Sequence, residues 1–134
     1  MLTTSQEAGA SSVTDLLRKD HKKVKSLFEA FEQAGDAKAK QRIVEEALAE
    51  LKVHAKLEEE LIYPAIEPEI EEDDLMDEAL EEHHVVHVLI GELKKMKASD
   101  DRYDAKFTVL AENVRHHIKE EESEMFPKAE DCAI

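Results

Sequence analysis

The sequence predicts an all-α protein, an up-down-up-down four-helix bundle with a pseudo-two-fold repeat of two helical hairpins. Only three Gly and three Pro interrupt its 134 residues, too few for the many turns of a β-fold. Hydrophobic residues recur at spacings of three and four along four segments, the period of an amphipathic helix. Segments of roughly 20–25 residues give helices of about 30–37 Å, which short loops join into a bundle.

The length of the chain indicates one domain. Residues 1–12 are small and polar without periodicity, so we expect a flexible N-terminal tail there. The bundle is expected over residues 13–130, and residues 131–134 are expected to form a C-terminal tail.

The first two helices are bounded by recognisable capping and breaking residues. Ser12 or Thr14 is expected to cap the first helix, and the Gly-Asp pair at residues 35–36 ends it. The second helix starts at about Ala37 and reaches Pro64, which lacks an amide hydrogen and should kink or end it.

The third and fourth helices are separated by a polar break. An acidic linker over residues 67–74, which contains Pro68, leads into the third helix. Residues 99–101, Ser-Asp-Asp, break the chain before the fourth helix, which is expected to stop near Pro127.

The charge of the chain limits its partners. With 33 acidic and 18 basic residues the formal charge is −15, which repels phosphate backbones and anionic membrane surfaces. We therefore expect no nucleic acid partner and no membrane partner. The N-terminus lacks a basic segment followed by an apolar run, and no stretch reaches 18 apolar residues. A cytoplasmic protein is expected, as a monomer or a homodimer.

Histidine and glutamate fill a gap in each apolar stripe. An unpaired buried carboxylate costs several kcal/mol, and a buried imidazole needs partners for both nitrogens. Metal coordination removes this cost, and an i, i+4 spacing places two donors on one helical face. A hydrogen-bonded polar layer is the alternative. The seven inward positions, predicted to be metal ligands, are His21, His54, Glu58, His83, His87, His117 and Glu121.

The chain also repeats itself with an offset of 62 or 63 residues. The repeat predicts two equivalent hairpins with a symmetric pair of metals between them. It breaks at His87, whose counterpart is Lys25, so one metal gains a third imidazole. The matched pairs are His21 with His83, His54 with His117, Glu58 with Glu121, and Pro64 with Pro127.

Taken together, His21 and the segments HAKLEEELIYP, EEHHVVH and HHIKEEESEMFP resemble the hemerythrin-like HHE cation-binding family, of the bacterial type, over residues 13–130. The resemblance implies two non-haem irons with an oxo or hydroxo bridge between them. It also implies the ligand assignment: His83, His87 and His117 on one iron, His21 and His54 on the other, with Glu58 and Glu121 bridging.

Under this assignment, the iron bound by His21 and His54 has one open coordination position. There O2, NO or a peroxide would bind for sensing, storage or delivery. The bridging residue of the fourth helix is Glu at i+4, whereas the invertebrate oxygen carriers have Asp at i+5. The alternatives are a diiron enzyme of oxidative or nitrosative stress defence, acting as a peroxidase or in NO reduction, and an iron or zinc reservoir. Zinc can also enter such a site by availability alone.

One tyrosine, two further histidines and the remaining acidic residues have less specific interpretations. Tyr63 is expected to pack at the proline kink, with a hydrogen bond to the site as the alternative. His84 lies beside the apolar stripe and is a candidate ligand or supporting group, whereas His116 is expected to face solvent. The remaining acidic residues of these segments, at 59–60, 120 and 122, are expected to lie on solvated helix faces.

Overall fold

The computed structural model describes residues 4–69 and 73–131, with side chains at 13–68, 74–128 and 130. These residues form four helical rods and contain no strand, which confirms the predicted all-α four-helix bundle. The first two rods pack as one hairpin and the last two as another. Among the residues described, each helix lacks the uninterrupted apolar stretch that a membrane span needs.

The second and fourth rods each contain a π-helical turn. The first rod is α1 (Thr4–Gln33) and the third is α4 (Asp73–Lys94). The second consists of α2 (Ala37–Leu57), a π turn (Glu58–Ile62), α3 (Tyr63–Ile66) and a 3-10 turn (Glu67–Glu69). The fourth consists of α5 (Tyr103–Glu120), a π turn (Glu121–Met125) and α6 (Phe126–Asp131).

The first helix begins at Thr4, so the expected cap at Ser12 or Thr14 was wrong, and residues 4–12 are helical. Each residue added to an existing helix gains a hydrogen bond at little further cost, and no proline stops this extension. Thr14 is buried and donates a hydrogen bond to Glu130 on α6. The remainder of the two predicted tails, 1–3 and 132–134, lies outside the described residues.

The predicted breaks at residues 35–36 and 99–101 are confirmed. Of the predicted linker 67–74, residues 70–72 lie outside the described residues, and α4 already begins at Asp73. Asp36 caps α2 by accepting a hydrogen bond from the Ala39 amide at 2.8 Å. In the connection from α4 to α5, the Lys97 amide donates to the Asp100 carboxylate at 2.8 Å. Arg102, just before α5, has a φ of 70° and takes the left-handed conformation that turns the chain back.

Pro64 and Pro127 do not end their helices, contrary to the prediction for Pro127. Ahead of each proline the helix widens into a π turn, in which the Tyr63 amide donates to the Glu58 carbonyl and the Phe126 amide to the Glu121 carbonyl. In a regular helix, residues five apart point about 140° apart. The wider turn lets Glu58 and Tyr63 share one buried face.

Two apolar clusters flank a polar layer. The larger cluster includes Phe28, Phe107 and Leu110, and the smaller one includes Ile66 and Met125. Along the second, third and fourth rods, the inward histidines and glutamates lie between residues of the two clusters. Four apolar residues that follow the helical spacing are exposed rather than buried: Val13, Leu16, Leu61 and Leu80.

Candidate metal centre

The polar layer contains six of the seven predicted ligands. Their donor atoms form two groups of four, and within each group these atoms lie within 4.8 Å of one another. We name the groups after their histidines, the His21/His54 group and the His83/His117 group. Glu58 and Glu121 belong to both.

Glu58 presents one oxygen to each group. Its Oε2 lies 3.3 Å from His54 Nε2, and its Oε1 lies 3.1 Å from His83 Nε2. Two different oxygens of one buried carboxylate therefore face two different sets of imidazoles, as in a carboxylate that bridges adjacent cations.

Glu121 repeats this arrangement from the opposite hairpin. Its Oε1 lies 3.1 Å from His21 Nε2, and its Oε2 lies 3.3 Å from His117 Nε2. The pseudo-two-fold repeat of the sequence thus becomes a pseudo-two-fold arrangement of donors in space.

Each of the four imidazoles directs Nε2 inward and Nδ1 toward an outer carboxylate. Such a carboxylate fixes the tautomer, because Nδ1–H donates to it and leaves the Nε2 lone pair for a metal. The four outer contacts are His21 to Glu122 at 2.8 Å, His54 to Asp20 at 3.4 Å, His83 to Glu59 at 2.8 Å and His117 to Glu82 at 2.6 Å.

The sequence interpretation missed these outer partners. Glu59 and Glu122 were expected on solvated faces. Each is instead half-buried, and its carboxylate contacts the Nδ1 atom of an inner imidazole. The signal was present, because Glu59 and Glu122 are 63 residues apart and Asp20 and Glu82 are 62 apart. Both pairs follow the offsets of the ligand repeat.

The polar atoms of the layer fit a bound metal. Among the described residues, five buried atoms of this layer make no hydrogen bond: His21 Nε2, His54 Nε2, both carboxylate oxygens of Glu58, and Glu121 Oε1. Each unsatisfied buried group costs about 1–3 kcal/mol. A cation in each group supplies a partner to all five. Without a cation, these atoms can pair only through protons held between the imidazoles and the carboxylates.

The carboxylates dominate the electrostatics of the layer. Burial lowers the pKa of His54, but Glu58, Glu121 and Asp20 outweigh burial and raise it from 6.5 to about 9. Burial also lowers the pKa of His117, and Glu121, Glu82 and Glu58 raise it to about 10. Without metal, these imidazoles hold protons at neutral pH, and a cation takes over their charge-balancing role.

His87, the seventh predicted ligand, is not gathered into either group. Its side chain is 43% exposed, and its Nε2 lies 2.9 Å from Glu59 Oε2, the same oxygen that holds His83 Nδ1. Its assignment as a ligand stays a prediction. His84 is exposed, and His116 faces solvent as expected, 3.0 Å from Glu120.

Tyr63 enters the site, which confirms the alternative that the sequence interpretation ranked second. Its hydroxyl lies 3.3 Å from His83 Nε2 and 3.2 Å from His117 Nε2, and it donates a hydrogen bond to Glu121 Oε2. Burial, together with the charges of Glu121 and Glu58, raises the pKa of Tyr63 well above its usual value.

Phe126 takes the equivalent position in the other half. Its ring stacks on His21 with centroids 5.7 Å apart and an interplanar angle of 5°. The Arg18 guanidinium also contacts this ring, 5.2 Å from the centroid of Phe126. Phe126 is buried and has no donor atom, so the two groups differ at this position.

A small cavity borders both groups on the side of the larger apolar cluster. Its volume is about 40 Å³. Five of the candidate ligands line it, His21, His54, Glu58, His83 and His117, with Val24, Leu51, Ala55, Val86, Val114 and Ile118. Tyr63 is not among its lining residues. The cavity thus combines apolar walls with access to the inner imidazoles.

Comparison with known proteins agrees with this geometry. A DNA nickase of Nostoc sp. is 28% identical over 125 residues, which cover 93% of this chain and 35% of that protein. An uncharacterized hemerythrin-like protein of Schizosaccharomyces pombe is 28% identical over 117 residues, which cover 86% of this chain and 58% of that protein. The chain thus spans about one third of the length of the first relative and less than two thirds of the length of the second.

No solved structure matches the chain significantly. The family described as hemerythrin HHE cation binding domain matches residues 12–129, nearly the whole bundle and all six gathered donors. The chain belongs to the hemerythrin HHE cation-binding domain family.

Proposed function

We propose that this chain is a non-haem diiron protein that binds O2 or a related small molecule, NO or a peroxide, for sensing, storage or delivery. One observation carries the proposal: two groups of donors share both buried carboxylates beside a small apolar cavity. Each group would hold one iron.

The donor set supports a pair of metals rather than one. Glu58 and Glu121 each have one oxygen directed to each group, so a single ion would leave half of these oxygens without a partner. A mixture of imidazoles and carboxylates suits iron, and it also accepts zinc. Family membership favours iron.

The cavity supports a small ligand. A volume of about 40 Å³ exceeds the roughly 10–15 Å³ that one water molecule needs, and it leaves no room for an organic substrate. Val24, Val86 and Val114 make part of its wall apolar, and the inner imidazoles form the rest. Bound iron would supply electron donation to such a ligand, while the chain orients the imidazoles and lines the cavity with apolar side chains.

A diiron enzyme is the less supported function. Peroxidase or NO-reducing chemistry needs a proton donor beside the bound molecule. The buried hydroxyl of Tyr63 does not line the cavity, and His84 is exposed outside both groups. Binding therefore fits the arrangement of the cavity better than turnover.

We also propose that the chain does not bind nucleic acid, although one relative is named a DNA nickase. The chain spans 35% of that relative, and its formal charge of −15 opposes contacts with phosphates. A shift of labelled duplex DNA by this chain at low salt would contradict this proposal.

The main test uses protein loaded with Fe(II) without oxygen. We expect two irons per chain, a new visible absorption on exposure to O2 or NO, and azide binding by the oxidised form. Ala55→Leu is the matched variant, since it fills the cavity without removing a ligand. This variant should keep two irons and lose most of the ligand response.

Three results would contradict the proposed function. A two-iron protein that shows no spectral response to O2, NO or azide does not bind small ligands. Sustained consumption of peroxide or NO would assign an enzyme instead. Rapid loss of both irons to a weak chelator would assign a reservoir.

A further inference from the structure

We infer that Tyr63 supplies the fifth protein donor of the His83/His117 group, with its phenol oxygen bound to the metal there. This inference rests on the proposed metal loading. It gives Tyr63 the place that the family resemblance gave to His87.

The position of the hydroxyl supports this assignment. The hydroxyl oxygen contacts three of the four donor atoms of the group: His83 Nε2, His117 Nε2 and Glu121 Oε2. The two imidazole nitrogens are themselves 3.0 Å apart. An oxygen that touches three converging donors lies within reach of any ion that those donors bind.

The surrounding fold holds the tyrosine in place. Tyr63 is 2% exposed and packs in the smaller apolar cluster with Ile66 and Met76. The π turn that begins at Glu58 orients its ring toward the layer. The hydroxyl is therefore shielded from bulk water, and its partners are the donors of the site.

His87 lacks these properties. It is 43% exposed, and Glu59 Oε2 holds its Nε2 at 2.9 Å while also accepting from His83 Nδ1. To reach the metal, His87 would have to give up Glu59 and cross into the buried layer.

The assignment makes the two metals unequal. The His83/His117 metal has two imidazoles, two carboxylate oxygens and a phenol oxygen from the chain. Phe126 offers no donor to the His21/His54 group, so that metal has four donors and keeps a free position. His21 and His54 line the cavity, where a small ligand would reach it.

The coordination step is an exchange of a proton for a metal. The O–H bond of Tyr63 breaks, the oxygen binds the ion through the electron pair left behind, and the proton is released to solvent. Neither the metal nor the tyrosine changes oxidation state. A phenol oxygen bound to Fe(III) gives a visible charge-transfer absorption with resonance-enhanced vibrations of the tyrosine ring.

The chain has only two tyrosines, which makes the test direct. We expect the Fe(III)-loaded parent to show the absorption and the ring vibrations, and ring-deuterated tyrosine to shift those vibrations. Tyr63→Phe should lose both signals and keep its iron. Tyr103→Phe, the matched control far from the site, and His87→Gln should retain them.

The outcomes separate this inference from the proposed function. Two irons per chain without tyrosine vibrations in the parent, or vibrations that persist in Tyr63→Phe, overturn the inference and leave the diiron proposal intact. Loss of one iron in His87→Gln, with none lost in Tyr63→Phe, assigns the position to His87 and overturns it too. A parent that binds no iron contradicts both.

Discussion

The His21/His54 half and the His83/His117 half of the layer share their inner design. Each half has two imidazoles, one oxygen from Glu58 and one from Glu121. Each imidazole also has an outer carboxylate on Nδ1. The repeated hairpin thus supplies a complete donor set twice, and both sets share the carboxylates between them.

The halves differ just beyond this shared set. Tyr63 places a hydroxyl in one half, where Phe126 places a bare ring in the other. The outer contact also differs, at 2.6 Å from Glu82 to His117 and 3.4 Å from Asp20 to His54. Asp is one methylene shorter than Glu, so it reaches less far. The repeated sequence therefore produces two similar donor groups. Single residues that differ between the repeats make the two groups unequal.

The largest expected effect comes from removing a shared carboxylate. Glu58→Ala takes one oxygen from each half, so we expect it to lose at least one of two irons per chain. Glu60→Ala, which changes an exposed acid in the same π turn, is the matched control and should keep both. Iron analysis after anaerobic loading measures this, and a Glu58→Ala protein that keeps two irons would rule out bridging.

One imidazole of each half should also titrate at an unusually high pH in metal-free protein. The pKa is raised to about 9 at His54 and about 10 at His117, above the usual 6.5 of an unfolded chain. Raised values mean that the folded state binds protons more tightly. This contribution to stability is complete below pH 6.5 and is lost as pH rises through 9 and 10.

The measurement is the melting temperature of metal-free protein across this range. We expect it to fall from pH 6.5 to 10, and to vary less in the metal-loaded protein, where metals replace the protons. Imidazole NMR signals should show that both His54 and His117 keep their protons well above pH 6.5. A metal-free melting temperature that rises between pH 6.5 and 10 would contradict the assigned partners.

A smaller effect is expected from the outer carboxylates. Removing such a partner typically costs about 10–100-fold in metal affinity. Glu82→Gln should approach the upper end because its contact with His117 is short, and Asp20→Asn should lie near the lower end. Competition with a chelator measures both affinities, and equal losses would show that the two contacts are equivalent.

Much of the fold and six of the donors were predictable from sequence because they follow regular periods. His21 and Glu58 occupy gaps in helical stripes, and a buried polar side chain in such a gap needs a partner. The π turns were not predictable from this pattern, since they depart from the regular period. In a regular helix, Tyr63 would point about 140° away from Glu58.

His87 shows a second limit. Its spacing of four residues from His83 places both on one helical face, which is a local property. Its actual partner, Glu59, comes from another rod, 28 residues away in sequence. The start of α1 shows a third limit, because a capping residue such as Thr14 does not stop a helix when the preceding residues also tolerate helix.

The central claim is that the chain binds two metals, one in each half. The most direct measurement is the number of irons per chain in the parent and in two double variants, His21→Ala/His54→Ala and His83→Ala/His117→Ala, with circular dichroism to verify the helices. We predict two irons in the parent and one in each double variant. One iron in the parent, lost entirely in either double variant, would contradict the claim and show a single shared site.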